Sequence, residues 1–337
     1  MRAVDTHFHW YPRSHFEKIA ARAEYPRAER DGDGYQYYYN NGRSHGGLWP
    51  AWFDLDAGLA AADAAVGGEV TVLSTAGVLS GLLDQAPLAD AIDLATDYNE
   101  EMAKTQRAYP GRFYGTAVVP LADTREALAV TEHAVTALGL RAVNLPPVTS
   151  GAESIDSPRL EPFYSLVEEL GVPLIVHPTD IVFDEILDGY DDGLQRSLGR
   201  LLDSSVTVLR LIFSGIMERH PALTVMHTHA GGLLPYQAGR LDKNARIKGL
   251  PELPSTYLKR TFVDIVAPQA LTIRTAVEFY GIDHVLYGTD YPCWSPEAAV
   301  AVLREAGLGE ADTAKLLRGN AEAVLGIQVG SAELLQG

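Results

Sequence analysis

The chain has 337 residues, a formal net charge of −17 and a single cysteine, Cys293. This length accommodates one large α/β barrel or two smaller domains. The lone cysteine rules out a disulfide framework within the chain, and the acidic balance argues against a nucleic-acid partner, which needs a basic footprint. No apolar run approaches the roughly 18 residues of a membrane-spanning helix, and the N-terminus lacks the pattern of a secretion signal. The expectation is a cytoplasmic enzyme with neither nucleic acid nor membrane as partner.

Taken in order, the chain alternates strand-like and helix-like segments. An apolar opening ends in His7 and His9. Side chains two apart in a strand share a face, so both imidazoles aim at one point where the strand stops. Residues 11–50 form a long irregular stretch with Tyr35, Tyr37, Tyr38 and Tyr39, and Asn40-Asn41-Gly42 as a turn signal. Such a stretch in a compact domain is usually functional, disordered or misread, and a poorly ordered insertion is the alternative reading. We expect an insertion after strand 1, a loop with short helices at most, lying as a lid over the mouth of the site. An alanine-rich helix over 55–66 leads to a strand at 69–74. Then come helix 88–109, strand 113–119, helix 124–138, and strand 140–145, which Pro146-Pro147 terminates. Helix 160–170, strand 173–177, a polar loop over 180–193 and helical periodicity to 218 follow. Strands at 223–227, 262–265 and 284–287 and helices at 296–306 and 310–325 complete the chain. About eight apolar strands, each followed by a helical segment, indicate a parallel sheet covered on its outer face. At this length they suggest one (β/α)8 TIM barrel over residues 1–337. No GxGxxG follows the first strand, which weighs against an open dinucleotide-binding sheet.

On that scaffold the chemistry-bearing residues gather at strand ends. His7 and His9 close the first strand and His177 the fifth. His229 follows the sixth in His227-Thr228-His229-Ala230-Gly231-Gly232, and Asp290 the eighth in Gly288-Thr289-Asp290-Tyr291-Pro292. These are C-terminal ends, the face on which barrels carry their chemistry. Three imidazoles and a carboxylate suit one divalent metal, with zinc the first choice and manganese, iron or cobalt as alternatives. A metal lowers the pKa of its bound water, and His229, if not a ligand, stands ready as general acid/base. His227 lies deeper in its strand, where packing or support of the site is its expected role. His133 and His220 read as solvated helix or turn residues.

The segments Asp5-Thr6-His7-Phe8-His9, Val176-His177-Pro178, His229-Ala230-Gly231-Gly232, Gly288-Thr289-Asp290-Tyr291-Pro292 and Gly319-Asn320-Ala321 together resemble the amidohydrolase superfamily. The branch is the metal-dependent one that includes aminocarboxymuconate-semialdehyde decarboxylase, and the resemblance covers nearly the whole chain. It implies a barrel of the metal-dependent hydrolase type, with His7, His9, His177 and Asp290 as metal ligands. It implies His229 as acid/base beside a metal-bound water. It also implies a homodimer in which Arg240 reaches the neighbouring subunit's site to hold a substrate carboxylate. The fourth strand, Arg141-Ala142-Val143-Asn144-Leu145, has no lysine to carbamylate, so one metal is expected rather than two.

The reaction implied is non-oxidative decarboxylation of an unsaturated or aromatic carboxylic acid, so the expected partner is a small acidic or aromatic substrate. Decarboxylases of this branch carry a substrate arginine in the loop after strand 1, for which Arg43 is an approximate match; Gly58 stands where related helices often carry arginine. Trp294 and Cys293 follow Asp290 and are expected to line the pocket, Trp294 against substrate and Cys293 as a neutral thiol. The alternative reaction is hydrolysis of a carbon–carbon bond, an amide or a lactone at the same metal; a metal-binding protein without turnover is a third reading.

Overall fold

A computed structural model describes residues 2–44, 46–147, 154–179, 185–245, 247 and 249–329. Among the described residues, eleven strands run in the order β1 (Arg2–Phe8), β2 (Arg27–Asp31), β3 (Gly34–Tyr38), β4 (Gly47–Leu48), β5 (Glu69–Ser74), β6 (Phe113–Gly115), β7 (Val143–Leu145), β8 (Leu174–Val176), β9 (Val225–His227), β10 (Phe262–Asp264) and β11 (Val285–Leu286). Eight of them build the barrel. β1, β5 and β6 form one parallel arc, and β7 to β11 another. Two seams join the arcs. Asn144 N donates to the Ala117 carbonyl at 2.9 Å, and Thr6 N to the Tyr287 carbonyl at 2.9 Å, with β-bridges at Ala117–Val143 and Phe8–Tyr291. The strands therefore follow one another round a closed ring, which leaves no sheet edge exposed.

The eight strands match the sequence expectation in number and place, though most are shorter at their C-terminal ends, where the chain leaves the ladder to carry site residues. Between them run helices including Leu55–Val66, Leu88–Ala108, Glu161–Leu170, Arg200–Phe213, Ala270–Tyr280 and Pro296–Ala306. The helix over Leu55–Val66 shows why it starts and stops where it does. Asp54 accepts from Ala57 N, and Gly67 closes it in the left-handed region (φ 71°).

Inside the ring, Val4, Leu73, Tyr114, Ala142, Ile175, Met226 and Leu286 form one apolar layer, with Phe262 packed against it. Ala321, Leu325 and Ile327, from the closing helix Asn320–Leu325 and the turn after it, join that layer. The interior is thus a packed core, closed by the C-terminal segment and open only at the strand ends.

The insertion departs from expectation. It has the expected short helix but is more than a loop. It holds the helix Arg13–Ala20 and a three-stranded antiparallel sheet, β2-β3-β4. The hairpin turns through Gly32-Asp33, with Gly32 at φ 55°. Tyr35, Tyr37 and Tyr39 alternate into the core, burying large rings on one face of the strand.

Candidate metal centre

His7, His9, His177 and Asp290 each present one ligand atom, and these atoms lie within 4.8 Å of one another. His9 Nε2 is 3.0 Å and His7 Nε2 3.4 Å from Asp290 Oδ1. In each imidazole the other nitrogen is occupied. His7 Nδ1 lies 2.7 Å from Asp264 Oδ2, His9 Nδ1 3.1 Å from the Thr75 carbonyl, and His177 Nδ1 2.7 Å from the Pro178 carbonyl. An acceptor at Nδ1 sets the tautomer and leaves the Nε2 lone pair for a cation. The Nε2 atoms of His7 and His177 are buried and without a hydrogen-bond partner, a costly state unless an ion takes them. The donor set therefore fits one divalent metal.

Electrostatics agree. Burial and the imidazoles of His7, His9 and His229 push His177 well below its ordinary value, so it stays neutral, as a metal ligand must. Burial alone would raise Asp290, but the charge of the His7 ring first, with His229 and His9 close by, holds it well below the carboxylate range. Burial disfavours a charged His7, yet the carboxylates of Asp264 and Asp290 outweigh it and lift the ring to about 10. A bound cation would replace that proton.

An irregularity in β1 aims the pair. Asp5 pairs with Val72 but Phe8 with Ser74, three steps against two. This one-residue bulge reverses the inward parity: Val4 faces the barrel interior and Phe8 the outer core, so the odd positions His7 and His9 turn inward. Asp5 clamps the bulge to the turn that carries Asp290, accepting from Thr289 Oγ1 at 2.6 Å, Thr289 N at 3.1 Å and His7 N at 3.1 Å.

His229 stands beside the cage, its Nε2 3.8 Å from Asp290 Oδ2 and its Nδ1 3.0 Å from Thr228 Oγ1. His229, Ala230 and Asp290 sit at φ 56°, 55° and 57°, each a left-handed conformation that costs of order 1–3 kcal/mol for a non-glycine residue. Asp264 holds the first two: His229 N reaches its Oδ2 at 3.1 Å and Ala230 N its Oδ1 at 3.1 Å.

Above the cage opens a cavity of about 300 Å³. It is lined by His9, His177, His229, Asp290 and Cys293 together with Tyr11, Tyr37, Gly46, Gly47, Leu48, Trp49, Trp52, Val78, Arg196 and Arg200. Trp52 stacks on His9 with ring centroids 5.3 Å apart.

Residues 4–327 match the amidohydrolase family profile. The chain belongs to the amidohydrolase family. This amidohydrolase is 29% identical over 271 residues to the 2-amino-3-carboxymuconate-6-semialdehyde decarboxylase of Dictyostelium discoideum, covering 77% of this chain and 73% of that one. It is 29% identical over 249 residues to the gamma-resorcylate decarboxylase of Rhizobium radiobacter, covering 68% and 75%. Its fold matches the dihydroxybenzoic acid decarboxylase of Polaromonas sp. JS666, solved with bound manganese and the inhibitor 2-nitroresorcinol, at TM-score 0.78 and 23% identity over 96% of both chains.

The other expected site residues of this amidohydrolase do not join the cavity wall. Arg43 lies 3.8 Å from Asp188. Trp294, next to Cys293 in the chain, is half-buried, and Arg240 is exposed on the helix Leu234–Asn244. Sequence reasoning missed Asp264, whose one signal is a carboxylate closing an apolar strand. It also missed Trp52, Arg196 and Arg200, which no motif marks. His220, expected to be solvated, is instead buried between Glu161 and Glu168. His227 is fully buried, and burial pushes it down to about 3, so it packs as a neutral ring.

Proposed function

We propose that the protein is a metal-dependent, non-oxidative decarboxylase of an aromatic or unsaturated carboxylic acid. The observation that carries this reading is the set of four converging ligands, three buried histidines and the partly buried Asp290, with His229 beside them, at the floor of a cavity walled by aromatic rings. The decarboxylase relatives favour carbon dioxide release over hydrolysis.

The aromatic walls bind a planar acid by stacking. His7, His9, His177 and Asp290 would hold a divalent ion, which would supply Lewis-acid stabilisation of negative charge on substrate oxygens. The donor set suits zinc as well as manganese, and the manganese in the Polaromonas enzyme puts both first in line for testing. His229 delivers a proton from Nε2 to the ring carbon that bears the carboxylate. The carbon–carbon bond then breaks, its electron pair restores the aromatic ring, and carbon dioxide leaves. Thr228, at the far nitrogen of His229, steadies the ring through that transfer. Tyr11, Tyr37, Leu48 and Trp49 come from residues 11–50, which supports reading that segment as the lid. A homodimer in which exposed Arg240 reaches the neighbouring site, and a cytoplasmic location, belong to the same proposal.

The test is turnover in deuterium oxide of a panel of ortho-hydroxybenzoates and muconic-type acids. Decarboxylation releases carbon dioxide and leaves one deuterium at the vacated carbon. Hydrolysed esters, amides or lactones with no carbon dioxide from any acid would replace this reading with the hydrolytic one.

A further inference from the structure

The acid-binding cation expected in the loop after β1 is not on the cavity wall, because Arg43 lies against Asp188. The cations that do line the cavity come from elsewhere. Arg196 and Arg200 belong to the helical segment after β8, Gln195–Gly199 running into Arg200–Phe213. Four residues apart, they lie about one turn from each other and share a face. That face looks into the same cavity as His177 and His229. Arg196 also donates to the Asp191 carbonyl, which anchors its guanidinium beside the opening.

Among the described residues, the remaining titratable side chains of the wall are His9, Tyr11, Tyr37, His177, His229, Asp290 and Cys293. His9, His177 and Asp290 are committed to the metal and His229 to proton transfer. In a chain with 44 acidic against 27 basic residues, two guanidinium groups stand together on one cavity wall. Guanidinium forks match carboxylates in geometry and charge. The carboxylate that leaves as carbon dioxide loses its charge in the reaction. Two cations clamped on it would hold the ground state more tightly than the transition state. An anionic group that persists through turnover gains from them without that cost.

We propose that Arg196 and Arg200 form an anion subsite that selects acids carrying a second negatively charged substituent, a ring dicarboxylate being the matching class. This inference rests on the decarboxylase reading for the site's chemistry, and the two can fail separately.

The experiment compares 2,6-dihydroxybenzoate, with one carboxylate, and 4-hydroxyisophthalate, with two, on metal-loaded wild type and on the Arg196→Ala, Arg200→Ala and double variants. Dissociation constants come from calorimetry and carbon dioxide release is followed in parallel. Wild type is expected to bind the diacid more tightly. Each single substitution is expected to weaken the diacid roughly tenfold, as for the loss of one charge-assisted hydrogen bond, and the monoacid far less. Arg200→Lys keeps charge without the fork and is expected to fall between Arg200→Ala and wild type. An unchanged diacid-to-monoacid ratio in the double variant, with circular dichroism intact, overturns the subsite even if carbon dioxide is released. A ratio that collapses in the double variant upholds the subsite even where neither acid is decarboxylated; that result would count against decarboxylation alone.

Discussion

Asp264 shows how much of a metal site lies outside its ligands. Its Oδ2 takes the His7 ring and His229 N, and its Oδ1 takes Ala230 N and Val266 N. Both oxygens are filled with donors, and an amide has only one acceptor end. Asp264→Asn therefore turns an NH2 group towards one pair of donors. We expect metal affinity or turnover to fall about 10–100-fold, read by metal titration and by kcat. Wild-type values for both would remove Asp264 from the positioning role. His229→Gln is expected to keep the metal, since its ring is not among the four ligands, and to lose about 10²–10⁴ in kcat. Equal turnover would take proton transfer away from His229.

At the scale of the element, β1 organises the site through its bulge. The HxH spacing alone was legible as a shared face, but which face was not. Regular alternation from Val4 would have turned both histidines outward, and only the extra residue against β5 brings them in. A bulge in a parallel pair leaves no composition signal of its own. The hairpin of the insertion, by contrast, did leave one. Gly32-Asp33 precedes the alternating buried tyrosines 35, 37 and 39, a two-residue Gly-Asp hairpin signature masked by the longer polar run around it. Gly58 is an element-scale feature as well. A Cβ there would sit 2.7 Å from Phe8 Cζ and 2.9 Å from Tyr291 Cε1, two rings stacked at 4.9 Å. The helix Leu55–Val66 thus rests directly on the end of β1, which leaves no room for the arginine that related helices often carry. Gly58→Ala is expected to destabilise the fold by about 1–3 kcal/mol through overpacking, measured by urea unfolding. No change would mean that the rings shift aside at little cost.

For the whole molecule, the closed ring of eight strands and the gathering of His7, His9, His177, His229 and Asp290 at one end were legible, because strand–helix alternation and strand-end polarity are local signals. Asp264, Trp52, Arg196 and Arg200 were not, since their roles depend on what the closed barrel places opposite them. Away from the site, a charge cluster clasps the helix Glu161–Leu170 to the turn before β9. Arg219 Nε lies 2.6 Å from Glu161 Oε1, and His220 Nδ1 2.9 Å from Glu168 Oε2. Arg219 holds Glu161 below its ordinary range. Glu168, despite its desolvation, is held down by His220 and the Ala222 N–H. A carboxylate depressed in the folded state stabilises above its unfolded pKa of about 4.3 and loses that contribution as pH falls through the folded value. The urea midpoint is expected to drop between about pH 5 and pH 3, and to drop less steeply in Glu161→Gln. An identical pH slope in the variant would assign the acid sensitivity elsewhere.

The central claim is that four residues hold one metal on which decarboxylation depends. The most direct test is to titrate metal-free protein with manganese, and separately with zinc, while measuring carbon dioxide released from a panel of ortho-hydroxybenzoates and muconic-type acids. The account predicts no release without metal and a rise that levels off at one ion per chain with at least one of the two metals. Release that is indifferent to metal, or no release from any acid at any metal loading, would contradict it.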